Sequence, residues 1–214
     1  LMEAVRRVHE RQKIDRLECT IEYQMYGAAK AREALGIPGM SVESVLLARD
    51  KQRMKEHLRA KGIRCAQSSG IAKRADAEAF AAEYGYPLIV KPLDSAGADD
   101  TFKCSNAEEL AAALDKTKAG AGGRPMMIEE FIEGQEGFYD TLVVGGKIVF
   151  ESISFYYPNV LHAMRTRWIS PQLVTTNRID APEYAPILEH GRQVIGAMGY
   201  DFAATHQEFF LHPE

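Results

Sequence analysis

Gly145-Gly146 stands between two runs rich in β-branched and aromatic residues, 138–144 and 147–155. Two glycines supply the positive φ that both central positions of a tight hairpin require, so the runs are expected to pair antiparallel. The hairpin comes late, after a stretch in which helical and extended patterns alternate. Leu88-Ile89-Val90 is a short unbroken apolar run of the kind an inner strand shows. Residues 127–132 and 202–211 also read as strands, and 63–72 as a short strand with a loop. This alternation, closed by the hairpin, predicts an α+β architecture of two lobes.

The helices carry their own punctuation. Residues 3–35, rich in Ala, Glu, Arg and Lys, read as helical, and Leu35-Gly36-Ile37-Pro38-Gly39 stops them. Ser41 caps a second helix. Asp50 caps a third, with Met54 and Leu58 on one face and Gly62 as terminator. Asp76 opens a helix that sets Phe80 and Tyr84 on one side and ends at Gly85. Ser105-Asn106-Ala107-Glu108 has capping-box character and opens a helix through Leu114. Residues 118–125 form a glycine-rich loop. Residues 182–198 form a helix with Ile187, Val194, Ile195 and Met198 as its apolar face. Residues 156–180 have no clear period and hold much of the polar chemistry.

Composition narrows the class of function. The 214 residues suffice for one large domain or two small ones, and 46% hydrophobic with 26% charged is ordinary for a globular protein. A net charge of -4 gives no basic field for nucleic acid, so no nucleic-acid partner is expected. No apolar run approaches the roughly 20 residues of a membrane helix, so no membrane partner is expected either. Cys19, Cys65 and Cys104 are odd in number and without a CxxC pair, which argues for a reducing, cytoplasmic setting. The chain starts on Leu1 and stops soon after an apolar run, and both ends read as cut.

Two segments hold the strongest chemistry. Tyr86-Pro87-Leu88-Ile89-Val90-Lys91-Pro92 ends a strand on a lysine, which Pro92 biases toward extended geometry. An ammonium at a strand mouth is a good point charge for a phosphate; the alternative is a snorkelling lysine. Met126-Met127-Ile128-Glu129-Glu130-Phe131-Ile132-Glu133-Gly134-Gln135-Glu136 sets acids around an extended apolar segment that breaks at a glycine. Such a segment offers a carbonyl and an N–H two residues apart, matching the adenine edge, and Glu136 is placed to accept from ribose hydroxyls. An edge strand with acidic outward positions is the plainer reading.

Weaker candidates surround these. Lys51, just after the Asp50 cap, sits where a cation is misplaced unless an anion binds in front of it; it also fits a solvated basic face. The small residues Ser95, Ala96, Gly97 and Ala98 can let backbone amides approach phosphate, or form a plain turn. There is no GxxxxGK[ST] and no GxGxxG after a strand. Glu208 shares a strand face with His206 in an otherwise apolar run, which suits a magnesium ligand or an outward-facing acid. His162, Arg165 and Arg167 cluster before Trp168 and can hold a carboxylate or phosphate, or form a solvated loop.

Taken in order, these features resemble the ATP-grasp superfamily, most of all its carboxylate–amine ligases and biotin-carboxylase group. The likeness covers roughly residues 36–214. It implies a two-lobe ATP-grasp fold, truncated at both ends, with residues 1–60 the tail of a preceding domain, 61–134 the small lobe and 135–214 an incomplete large lobe. It implies ATP and Mg²⁺ (or Mn²⁺) as cofactors, with Lys51 and Lys91 on the phosphates and Ser95, Ala96, Gly97 and Ala98 in the covering loop. Glu129 would lie near the adenine amino group, Glu130 and Ile132 would meet adenine through backbone atoms, and Phe131 lies between them. Glu136 would hold the ribose, Glu208 the metal, and Arg165 or Arg167 the transferred phosphate. The expected partners are a small-molecule carboxylate and an amine, joined through an acylphosphate, with homo-oligomer formation left open. A catalytically silent nucleotide-binding module and a bicarbonate-activating carboxylase are the alternatives, separated by ADP formation and by its dependence on bicarbonate.

Overall fold

The structure, a computed structural model, describes residues 1–93, 100–166 and 168–212. By contacts the chain divides into two compact units. One comprises Leu1–Arg49, Tyr139–Ile153 and Arg178–Gln207; the other comprises Asp50–Phe138, Ser154–Asn177 and Glu208–Glu214.

The second unit is built on a four-stranded antiparallel sheet. Its strands are β1 (Ser68–Ile71), β2 (Leu88–Pro92), β3 (Phe102–Cys104) and β4 (Met126–Glu130), in the order β1-β4-β2-β3. The inner strand expected at Leu88-Ile89-Val90 is there, paired on both sides. Side chains alternate across a sheet, so its two faces differ. Leu88, Val90, Met126 and Ile128 turn one way and pack with Ala77, Phe80 and Ala81 of helix α5 and Leu110, Ala113 and Leu114 of helix α6. Those helices are Arg74–Tyr84 and Ala107–Thr117. Ile89, Lys91, Met127 and Glu129 therefore turn the other way. Helix α4 (Lys51–Ala60) begins as expected, with the Asp50 carboxylate accepting from the Gln52 and Arg53 amides. The cap of α6 is one residue later than the capping-box reading. Asn106 accepts from the Glu109 amide, and Glu109 takes the Ser105 amide in return.

In the first unit the helical stretch expected over 3–35 is interrupted. Helix α1 (Met2–Arg11) stops at Gln12, which is extended, and α2 starts again at Met25 and runs to Leu35. The break has a tertiary cause that local propensity does not contain. Ile14 and Leu17 fold onto Val5, Ala31 and Ile37, the Ile14 amide donates to His9 Nδ1, and buried Arg32 donates to the Leu17 carbonyl. Helix α3 (Val42–Arg49) follows Ser41, whose hydroxyl accepts from the Ser44 amide.

A second four-stranded sheet has the order β7-β6-β5-β8, from β5 (Gln135–Val144), β6 (Lys147–Tyr157), β7 (Gln172–Thr175) and β8 (Phe202–Leu211). Gly145 and Gly146 have φ of 58° and 71°. That is the double positive turn read from the sequence. The aperiodic stretch 156–180 contains the short helix α7 (Val160–Thr166) and β7. Helix α8 (Ala185–Met198) buries Ile187, Val194, Ile195 and Met198 as expected. Among the described residues no helix is long and apolar enough to cross a membrane, and the three cysteines are free.

Candidate functional site

The charged face of the first sheet centres on Glu129. Its Cα partner on β2 is Ile89, so Lys91, two residues on, is its diagonal neighbour on the same face. The Lys91 ammonium pairs with Glu129 Oε1. A second ammonium, from Lys55 on α4, pairs with Oε2. Only 10% of the Glu129 side chain is exposed, against 13% for Lys55 and 21% for Lys91. Burial disfavours the carboxylate charge, but the two ammonium groups outweigh it and hold Glu129 below its ordinary pKa. Two cations on one buried anion leave a net positive centre suited to a further anion.

Lys55 is absent from the residues selected by sequence. The signal lies in its spacing: it is one turn beyond Lys51 and so shares that helix face. Lys51 itself occupies the first turn of α4 and is partly buried. Lys103 is a second unselected residue. It pairs in register with Ile89, which puts it on the charged face, and its ammonium lies 3.6 Å from the centre of the Phe131 ring.

Beyond Glu129 the chain leaves the sheet. The Glu130 amide donates to the Gln67 carbonyl and the Phe131 amide to the Pro87 carbonyl, so these two donors are engaged. The side chain of Glu130 belongs to the opposite face, where its charge raises the pKa of Tyr84 as a minor cause after Glu83 and burial. What Glu130 presents to the charged side is backbone. Ile132 follows, partly buried, as the next amide along.

The segment 134–136 is clamped by Asn159, which sequence reading passed over. Its amide donates to the Gly134 carbonyl at 2.9 Å, and its Oδ1 accepts from the Glu136 amide at 3.1 Å. Gly134 must be small, since a Cβ there would lie 2.6 Å from the Leu211 carbonyl oxygen. Glu136 is buried, and its Oε2 accepts from the Val160 amide at 2.6 Å. Burial raises its pKa, the nearby charge of Glu208 raises it further, and the Val160 hydrogen bond and Lys91 oppose. Lys91, Glu129, Glu136 and Glu208 thus share one electrostatic neighbourhood.

Glu208 is exposed on β8. Among the described residues no three His, Cys, Asp or Glu side chains converge as a metal cage. The Glu208 carboxylate is an oxygen donor of the kind magnesium takes, which commonly binds through one or two carboxylates with phosphates and water completing its shell. Arg165 is exposed on α7, and its charge lowers the pKa of Cys104, which burial first of all pushes up to about 11. Ser95, Ala96, Gly97, Ala98 and Arg167 lie outside the described residues.

The chain is similar to several known proteins. Residues 50–139 match the family described as carbamoyl-phosphate synthase L chain, ATP binding domain. The chain is 26% identical over 229 residues to an alanine–anticapsin ligase of Bacillus subtilis (strain 168), covering 99% of this chain and 48% of the relative. It is 30% identical over 201 residues to an L-arginine-specific L-amino acid ligase of Bacillus subtilis, covering 92% and 48%. The crystal structure of an L-amino acid ligase from Bacillus licheniformis superposes with a TM-score of 0.77 at 21% identity, covering 99% of this chain and 49% of that one. That likeness demonstrates a shared fold. The chain spans about half the length of the curated relatives it matches.

Proposed function

We propose that this chain, whose residues 50–139 match an ATP-binding family and whose fold is shared with an L-amino acid ligase, is a member of the ATP-grasp superfamily and serves an ATP- and Mg²⁺-dependent ligase joining a carboxylate to an amine. The observation that carries this reading is the convergence of Lys55 and Lys91 on buried Glu129, at the strand that leads into Glu130-Phe131-Ile132. A triphosphate is the anion a doubly cationic strand mouth suits, and the neighbouring backbone suits a purine edge.

In this reading Lys91 and Lys51 neutralise the phosphates, the Glu130 carbonyl and Ile132 amide meet the base, and Glu136 accepts from the ribose. Magnesium, held through Glu208, would offset charge on the phosphate oxygens. Arg165 or Arg167 would offset charge on the transferred group. A carboxylate oxygen attacks the γ-phosphorus and ADP leaves; the amine nitrogen then attacks the acyl carbon, and phosphate leaves with the oxygen. These residues act by position and charge, without a general base at the phosphorus. Residues 61–134 would be the smaller lobe and 135–214 the larger, after a leading segment 1–60. A cytoplasmic setting and homo-oligomer formation belong to the same reading.

Calorimetric titration of Mg·ATP into the wild type and Lys91→Ala tests it. Loss of a charge-assisted contact should weaken binding by about tenfold to a hundredfold. Indistinguishable affinities would remove the phosphate role of Lys91. ADP release across a panel of amino acids as carboxylates and amines, with bicarbonate as a separate arm, then identifies the classes of acyl donor and acceptor.

A further inference from the structure

We propose that Lys55 is a positioning residue that keeps Glu129 paired when Lys91 turns from it to the nucleotide. The inference rests on the reading of Lys91 as a phosphate-binding lysine. In the structure the Lys91 ammonium is held by Glu129. To reach a phosphate it must leave that carboxylate or share it. Glu129 is almost wholly enclosed, so losing its only cation would strand a buried charge. It has two cations, one on each oxygen. Lys55 comes from α4, an element separate from the strand that carries Lys91, so it can stay while Lys91 moves.

Among the described residues, the cations seen to bear on Glu129 are Lys55 and Lys91. Lys91 comes from β2 and Lys55 from α4; its partner on β1 is Ser68, which is uncharged. Lys103 shares the face from β3 but rests on the Phe131 ring. Glu136 feels the charges of both Glu208 and Lys91. With Lys55 present, nucleotide binding exchanges one partner of Lys91 for another. Without it, Glu129 must take a proton for Lys91 to leave.

Proton uptake on binding is therefore the readout, measured by titrating Mg·ATP at pH 7 in buffers of different ionisation enthalpy. Lys55→Met should lower affinity tenfold or more and take up as much as about one proton more than wild type. Lys55→Arg should restore both values. In a Glu129→Gln background, where no buried carboxylate needs a cation, Lys55→Met should change neither affinity nor uptake; this pair also serves if Lys55→Met alone folds poorly. If Lys91→Ala loses binding while Lys55→Met matches wild type in affinity and uptake, Lys55 has no such role and the nucleotide reading stands. An equal loss from Lys55→Met in the Glu129→Gln background would make Lys55 a direct contact and overturn the inference. If Lys91→Ala binds like wild type, Lys91 does not move to phosphate and the inference falls with the reading.

Discussion

Glu136 pays in stability for its place at the site. Burial and the charge of Glu208 push its pKa up, so the folded state resists its ionisation. For a carboxyl whose folded pKa is raised, the unfavourable contribution is present at neutral pH and fades as pH falls toward the ordinary glutamate value of 4.5. Glu136→Gln keeps an oxygen for the Val160 amide and removes the charge. It should raise the melting temperature at pH 7.5 by roughly 2–4 °C, with the gain shrinking near pH 5, and weaken Mg·ATP binding. Thermal melts at both pH values and a titration check this; an unchanged melting temperature would mean the carboxylate is not strained. Asn159 acts the opposite way. It satisfies the Gly134 carbonyl and the Glu136 amide together. Asn159→Ala should cost about 1–3 kcal/mol in urea unfolding, because both backbone groups lose a partner.

At the scale of an element, α8 shows how one residue sets a packing distance. The Tyr139 ring is fully buried, and a Cβ on Gly191 would lie 2.5 Å from it. That ring cannot swing aside, since its hydroxyl donates to Glu151 Oε2 at 2.5 Å and Glu151 is paired with Arg192 of the same helix. Gly191→Ala gains about 1 kcal/mol of helix propensity but meets a fixed ring, where overpacking costs about 1–3 kcal/mol. The net prediction is a loss of about 1 kcal/mol by denaturant midpoint, whereas the same change at Gly196, with open space around its Cβ, should stabilise. The elements themselves were widely legible. The Asp50 cap, the Gly145-Gly146 turn and the β2 strand are local signals spanning four residues or fewer, and each stands where the sequence places it. The break between α1 and α2 was not legible, because its cause is contact with residues as distant as Ile37.

For the whole molecule, Glu129 should dominate the response to acid. Its folded pKa lies below 4.5, so its pairing stabilises fully above that value and is lost as pH falls through the folded pKa beneath it. Acid unfolding of wild type should be steeper below pH 4.5 than that of Glu129→Gln, followed by circular dichroism. At pH 7, Glu129→Ala should cost about 3–5 kcal/mol, since it leaves two partly buried ammonium groups without their anion. A variant as stable as wild type would mean that the lysines relax to water without loss.

The sequence by itself determined most of the elements and their order, and two residues of the charged centre, Lys91 and Glu129, because strand ends, caps and turns are written in neighbouring side chains. Only the tertiary structure decided that Lys55 is the second cation, that Asn159 clamps the bend, and that Lys103 lies on Phe131. Lys55 and Glu129 are 74 residues apart, and Gly134 and Asn159 are 25 apart. Periodicity reports on residues within a helical turn or a strand repeat. Which distant side chains meet is set by strand register and by which face each helix covers.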